Sequence, residues 1–213
     1  MKWKFFCVLS IVSVAIGCTK SQIRDSLKAN SRANQYTTVT IFPIDPTDKK
    51  FVGCLQDRLN QKLPNLKFIS ADKFREALFP WFEPETARQS LENLSAILTK
   101  PLVKKRIESL RVEFLICLRG ITIDDSSADS APPLAVVGYG NRETHIWTTV
   151  WDLKEIVRVG DTDISFKGKV VGGFGLIPPF IYIWPAFTDT RACLETAKRI
   201  SNCLTGKIPS TKK

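Results

Sequence analysis

The chain has 213 residues, 44% of them hydrophobic, and its 31 Lys and Arg against 21 Asp and Glu give a formal charge of +10. That length and apolar share suit one domain of ordinary size with a real core. A single histidine, His145, and the absence of any Cys-x-x-Cys or Cys/His spacing exclude the common metal-centre patterns.

The N-terminus is built like an export signal. Met1-Lys2-Trp3-Lys4 supplies a positive start, and Phe5 to Ile16 form an apolar run of about 12 residues. A permanent membrane helix needs roughly 20 such residues, so the segment reads as removable. Val14-Ala-Ile-Gly-Cys18 closes it. This junction resembles the signal and lipobox of bacterial lipoproteins, although Ala15 stands where that family more often has leucine. The resemblance implies cleavage between Gly17 and Cys18, diacylation of the Cys18 thiol with palmitate-type chains, and a membrane held through lipid. Thr19 follows where an aspartate would signal inner-membrane retention, so the resemblance further implies the periplasm-facing side of the outer membrane. Loss of residues 1–17 removes Lys2 and Lys4 and no acid, leaving 196 residues at +8. Outside the cytoplasm such a surplus favours phospholipid head groups, lipopolysaccharide or cell-wall polymer, and nucleic acid is not an expected partner.

Residues 18–37 are polar after the cysteine and read as a tether, with residues 38–206 as a single periplasmic domain and 207–213 as a basic tail. Thr38-Val-Thr-Ile-Phe-Pro-Ile44 is a β-rich run, ended by Asp45-Pro46 turn chemistry. Asp48 can cap a helix over about 49–63, with Val52, Leu55, Leu59 and Leu63 along one side. Leu66 to Ile69 predicts a short strand, and Ser70 can cap a helix over about 71–79. Pro80-Trp-Phe-Glu-Pro84 reads as a rigid corner, followed by helices over about 85–98 and 101–109, the latter with Pro101 at its first position. Lys100, Lys104, Lys105 and Arg106 make a basic cluster on that helix. Val112 to Arg119 predicts a strand, and residues 124–133 a loop. Strands over about 134–139, 143–154 and 161–174 follow, with Gly138-Tyr-Gly-Asn141 suiting a hairpin turn, and a helix over about 189–204 closes the chain.

Val170 to Thr188 holds 19 residues without a charge. Its glycines and Pro178, Pro179 and Pro185 exclude a spanning helix and predict a strand end followed by an ordered apolar loop. The stretch reads first as a loop folded back onto the core; as a docking surface its candidate partner contacts are Phe180, Tyr182 and Trp184, because aromatic residues on a constrained segment anchor interfaces, and insertion into lipid is the third reading. Four thiols remain once Cys7 and Cys18 are set aside: Cys54, Cys117, Cys193 and Cys203. In an oxidising compartment an even count suggests one or two disulfides. Cys193 and Cys203 lie ten residues apart in one helix, about 15 Å along its axis, too far to pair with each other. Cys193 shares a stripe with Ala197, Ile200 and Leu204, and the favoured bond joins it to Cys54 on the first helix.

The element order β-α-β-α-α-α-β-β-β-β-α predicts an α/β (α+β) sandwich, one mixed sheet with helices packed on it. Behind a lipidated cysteine, that order and Val39-Thr-Ile-Phe-Pro-Ile44 resemble the periplasmic domain of three groups: the curli-secretion lipoprotein, the lipoprotein activator of penicillin-binding proteins and the N-terminal part of the Tol-system translocation protein. The expectation is a membrane-anchored envelope lipoprotein whose non-catalytic domain binds another envelope protein or cell-wall component, without metal or small-molecule cofactor. The alternatives are a subunit of an oligomeric outer-membrane assembly and an envelope hydrolase. Any Ser/His/Asp arrangement would have to use His145, which falls in a predicted strand beside Trp147 and Trp151, and no Gly-x-Ser-x-Gly elbow is present.

Overall fold

The computed structural model describes residues 20–27, 37–45, 48–81, 94–127, 135–176, 179–184 and 187–207, with side-chain surroundings outside 135–139 and 170–184. Residues 1–17, expected as a signal, and Cys18 lie outside these residues, as do Phe82 to Asn93, where most of the predicted 85–98 helix falls.

One mixed seven-stranded sheet runs β1-β6-β5-β4-β2-β3, with β7 also paired to β6. The strands are β1 Lys20–Asp25, β2 Thr38–Pro43, β3 Lys67–Ile69, β4 Phe114–Ser127, β5 Ala135–Asp152, β6 Val157–Leu176 and β7 Pro179–Trp184. The described helices are α1 Lys49–Lys62, α2 Ala71–Leu78, α3 Leu94–Leu98, α4 Pro101–Leu110 and α5 Thr188–Leu204. The fold is α+β, as the element order predicts.

The parallel end comes from β2 paired with both β3 and β4, with α1 as the crossover between β2 and β3. Helices cover both sides of the sheet there. On one side α1 buries Phe51, Leu55 and Leu59, and α5 buries Ala192, Cys193, Ala197, Ile200 and Leu204, against Val39, Ile41, Ile116, Ile146 and Ile164. On the other side Phe74 and Leu78 of α2, Leu94 and Leu98 of α3, and Val103 and Ile107 of α4 enclose Phe42, Leu115 and Cys117. Arg106 holds the corner after α2 by donating to the carbonyls of Ala77 (3.0 Å) and Phe79 (2.6 Å). Its guanidinium also lies 5.2 Å from the Trp81 ring centroid, so part of the basic cluster is structural rather than a free charged face.

The Cys54–Cys193 disulfide ties α1 to α5, with 6.4 Å between Cα atoms. Cys117 and Cys203 are buried and lie outside the disulfide, and burial pushes the pKa of each thiol up to about 12.

Five expectations are revised. Residues 124–127, expected in a loop, extend β4 to Ser127 because β5 lies beside them as a partner. Lys20–Asp25, expected within the tether, is an edge strand paired antiparallel to Thr162–Lys167, and its Ile23 packs on the core opposite Ile164. The segments 134–139 and 143–154 are one strand: Gly138 to Asn141 continue in register against β6 rather than turning. Glycines that could turn there are extended because a strand partner is available along their whole length. The apolar stretch after Val170 is the end of β6 followed by β7, paired from Val171↔Trp184 to Leu176↔Pro179, rather than a loop. Asp48 does not cap α1 through its side chain. Its carboxylate turns inward and accepts from the amides of Gly120 (2.9 Å) and Asp45 (3.0 Å). Burial raises its pKa against the pull of those two bonds.

Candidate functional site

The pairings of β1, β4, β5 and β6 arrange alternate residues into rows across the sheet. On the side opposite α1 and α5 one row reads Arg119, Trp147, Asp163, Arg24, the next Ile121, His145, Ser165, Gln22, and the third Ile123, Glu143, Lys167, Lys20. In the same strands, the residues between them face α5: Thr144, Ile146, Thr148, Thr162 and Ile164 are all buried. The rows themselves are half-buried or exposed, and among the described residues no helix lies over them, because α2, α3 and α4 pack on the β2 end. This is an open, four-strand face.

Its centre is organised. The imidazole of His145 stacks on the Trp147 indole with centroids 5.3 Å apart and planes within 9°, and Arg119 places its guanidinium 5.8 Å from the Trp147 centroid. His145 Nε2 lies 2.9 Å from Glu143 Oε1, the Ser165 hydroxyl donates to the same oxygen at 3.2 Å, and Lys167 Nζ is 3.5 Å from Oε2. Partial burial opposes ionisation of Glu143. The Ser165 bond and the charges of His145 and Lys167 outweigh it and hold the carboxyl below its ordinary range.

That geometry bears on chemistry. In a hydrolytic triad the histidine takes the serine proton and an acid orients the histidine. Here the Ser165 hydroxyl and the His145 imidazole both address Glu143, so the serine proton is committed to a carboxylate already held ionised. The arrangement presents charges and an aromatic pair without activating a nucleophile. No three His, Cys, Asp or Glu side chains converge as metal ligands among the described residues.

A second polar cluster lies on the opposite side, at the start of α5. Asp189 accepts from Thr144 (2.5 Å), Thr122 (2.9 Å) and Arg142 (3.0 Å), with Lys50 at 3.4 Å. Burial disfavours its charge, but the two threonine bonds and the Lys50 and Arg142 charges lower its pKa overall. A carboxylate in the first turn of a helix also meets the positive end of the helix dipole. Every group in the cluster is used in joining α1, α5, β4 and β5, so it is read as a latch. Sequence reading missed it. Its one local sign is Thr188-Asp189 at a predicted helix start, and the partners lie 45 to 139 positions away.

The sequence-derived contacts Phe180, Tyr182 and Trp184 occupy alternate positions of β7, opposite Gly175, Gly173 and Val171. Counting along β6 from Asp163, Ser165 and Lys167 puts those positions on the same side of the sheet as the open rows. The disulfide pair Cys54 and Cys193 lies elsewhere, within the helix layer of the other side.

No protein-family model matches the chain, and no curated protein matches it. Among solved structures it is similar to the PelC dodecamer from Paraburkholderia phytofirmans, with a TM-score of 0.45 and 6% identity over 85% of this chain and 98% of that one. A substituted PelC dodecamer from the same organism scores 0.41 at 9% identity over 89% and 99% of the two chains. A structure described as a neuraminyllactose-binding hemagglutinin homolog from Helicobacter pylori scores 0.40 at 10% identity over 87% and 92%.

Proposed function

We propose that this protein is a lipid-anchored envelope protein, acylated at Cys18 after cleavage behind Gly17, whose single α+β domain is a non-catalytic module that binds another envelope component. The observation that carries the binding reading is the open face built on Arg119, Trp147, His145 and Glu143, where charged and aromatic side chains are held in place by one another. Groups pre-ordered in this way lose little conformational freedom when a partner arrives. The export signal and the Cys54–Cys193 bond both suit an oxidising compartment, and the periplasmic face of the outer membrane is the proposed location.

Capture from envelope extract with the full chain tests the reading. Trp147→Ala and Arg119→Glu are expected to lose the partners that wild type retains, while His145→Gln, which keeps a neutral donor beside Glu143, retains them. Equal capture by all variants would remove the open face from the binding surface. Loss of function in a folded His145→Gln variant that still captures its partners would instead favour the hydrolase. The assembly-subunit alternative requires rings or higher oligomers on sedimentation after detergent extraction, and a monomer would count against it. Fatty-acid labelling tests the anchor, since label persisting in Cys18→Ser would refute the assignment.

A further inference from the structure

The register of β1 and β7 brings two distant parts of the chain to the same edge of β6. Lys20 is opposite Lys167, and Trp184 is opposite Val171, four positions further along and thus about 13 Å away. Cys18 precedes Lys20 by two residues in the sequence. Lys20, the described residue nearest Cys18 in the sequence, thus stands by the end of the sheet where charge stops. Beyond Lys169 the paired strands carry none: Ala135 to Gly140 of β5, Val170 to Leu176 of β6 and all of β7 are uncharged. At the boundary stand Lys20, Lys167 and Lys169, with Asp124 and Asp125 of β4 at the same level two strands away, all exposed.

We propose that this charge-free end of the sheet, β7 with the adjoining parts of β5 and β6, rests in the lipid interface of the membrane that holds acylated Cys18. The proposal rests on the acylation reading above. Anchor and strands then touch one bilayer at one end of the domain and set its orientation, and the open rows of His145 and Trp147 project away from the lipid. Tyr182 and Trp184 belong to the residue types enriched where hydrocarbon meets head groups. The lysine collar complements anionic head groups. Among the described pairings β7 and the first residues of β5 each have one neighbour, β6. Open edges exclude passage through the hydrocarbon core as a lone sheet, so contact is interfacial.

The full chain, extracted in detergent and reconstituted into phosphatidylethanolamine and phosphatidylglycerol vesicles with brominated acyl chains, supplies the test. Bromine is expected to quench tryptophan fluorescence in the wild type. Trp184→Phe should abolish most of that quenching, and Trp81→Phe should leave it unchanged. A wild type that is not quenched, or quenching indifferent to Trp184→Phe, would overturn the proposal. A photo-crosslinker at position 182 that reacts with a second copy or another protein instead of lipid would overturn it as well. Independently of that strand, Lys20→Glu with Lys169→Glu in a Cys18→Ser background should weaken binding to the anionic vesicles about ten-fold or more. Unchanged binding would refute the collar. Fatty-acid labelling of the same preparation separates the two readings. Quenched Trp184 without label on Cys18 removes the anchor and keeps the contact, whereas labelled Cys18 with unquenched Trp184 does the reverse.

Discussion

Opening the Cys54–Cys193 bridge should lower stability without changing the fold. The bond closes a loop of 139 positions, and in the chain-entropy account a closure of that length removes about 5 kcal/mol from the unfolded ensemble. The folded state keeps α5 in place by other means, through the buried stripe of Ala192, Ala197, Ile200 and Leu204 and through the Asp189 cluster. Cys54→Ser with Cys193→Ala leaves no hydroxyl at the buried position. Urea unfolding of this variant and of wild type, each with and without reductant, measures the effect. At a slope of about 3 kcal/mol per molar urea, 5 kcal/mol corresponds to a fall of about 1.7 M in the midpoint. The slope itself should rise, because an uncrosslinked unfolded chain is more expanded. Cys117 and Cys203 should not contribute, since both are buried, with thiol pKa values pushed up to about 12, and should resist thiol reagents in the native state. Coincident midpoints for the oxidised wild type and the variant would refute the reasoning, as would a reductant effect in the variant equal to that in wild type.

Gly120→Ala would place a Cβ 2.2 Å from the buried Phe51 ring, so a loss of about 1–3 kcal/mol is expected in the urea midpoint, largely recovered by adding Phe51→Leu. Asp189→Asn removes the charge that Arg142 and Lys50 face and should cost about 1–3 kcal/mol at neutral pH, checked by chemical unfolding. Its sign with pH follows from its lowered pKa: the contribution is complete above the unfolded carboxyl value of about 4 and is lost as pH falls through the folded one, so Asp189→Asn should lose less on acidification than wild type. Asp48 runs the other way, because its pKa is raised and acidification favours the folded form. Asp48→Asn should therefore steepen the acid loss, and parallel acid limbs for the two variants would contradict both assignments.

Much of the helix layer was legible because burial there follows a local period. Leu55 and Leu59 recur at four-residue spacing in α1, and Cys193, Ala197, Ile200 and Leu204 mark the buried side of α5, a period that by itself places Cys193 inward. That stripe and the separation that forbids Cys193–Cys203 leave both Cys54 and Cys117 as partners for Cys193, and the structure pairs it with the favoured Cys54. Ser70 caps α2 as expected, accepting from the Lys73 amide at 3.3 Å, because a cap is a contact over three residues. Asp48 looked equivalent and is not: the amide of Gly120, 72 positions away, claims its carboxylate.

What the sequence determined by itself was therefore local: the order of the described helices, the buried side of the long ones, the charge-free stretch after Lys169 and the single histidine. The tertiary structure decided everything that depends on a strand's neighbour. Lys20–Asp25 has one core-packed residue, Ile23, too little alternation to announce a strand until β6 lies beside it. Gly138 to Asn141 turn or extend according to whether partners flank them. The meeting of His145, Trp147, Arg119, Glu143 and Ser165 on one open face likewise depends on register, since a slip of one residue would exchange every side chain between the helix-covered and the open side of the sheet.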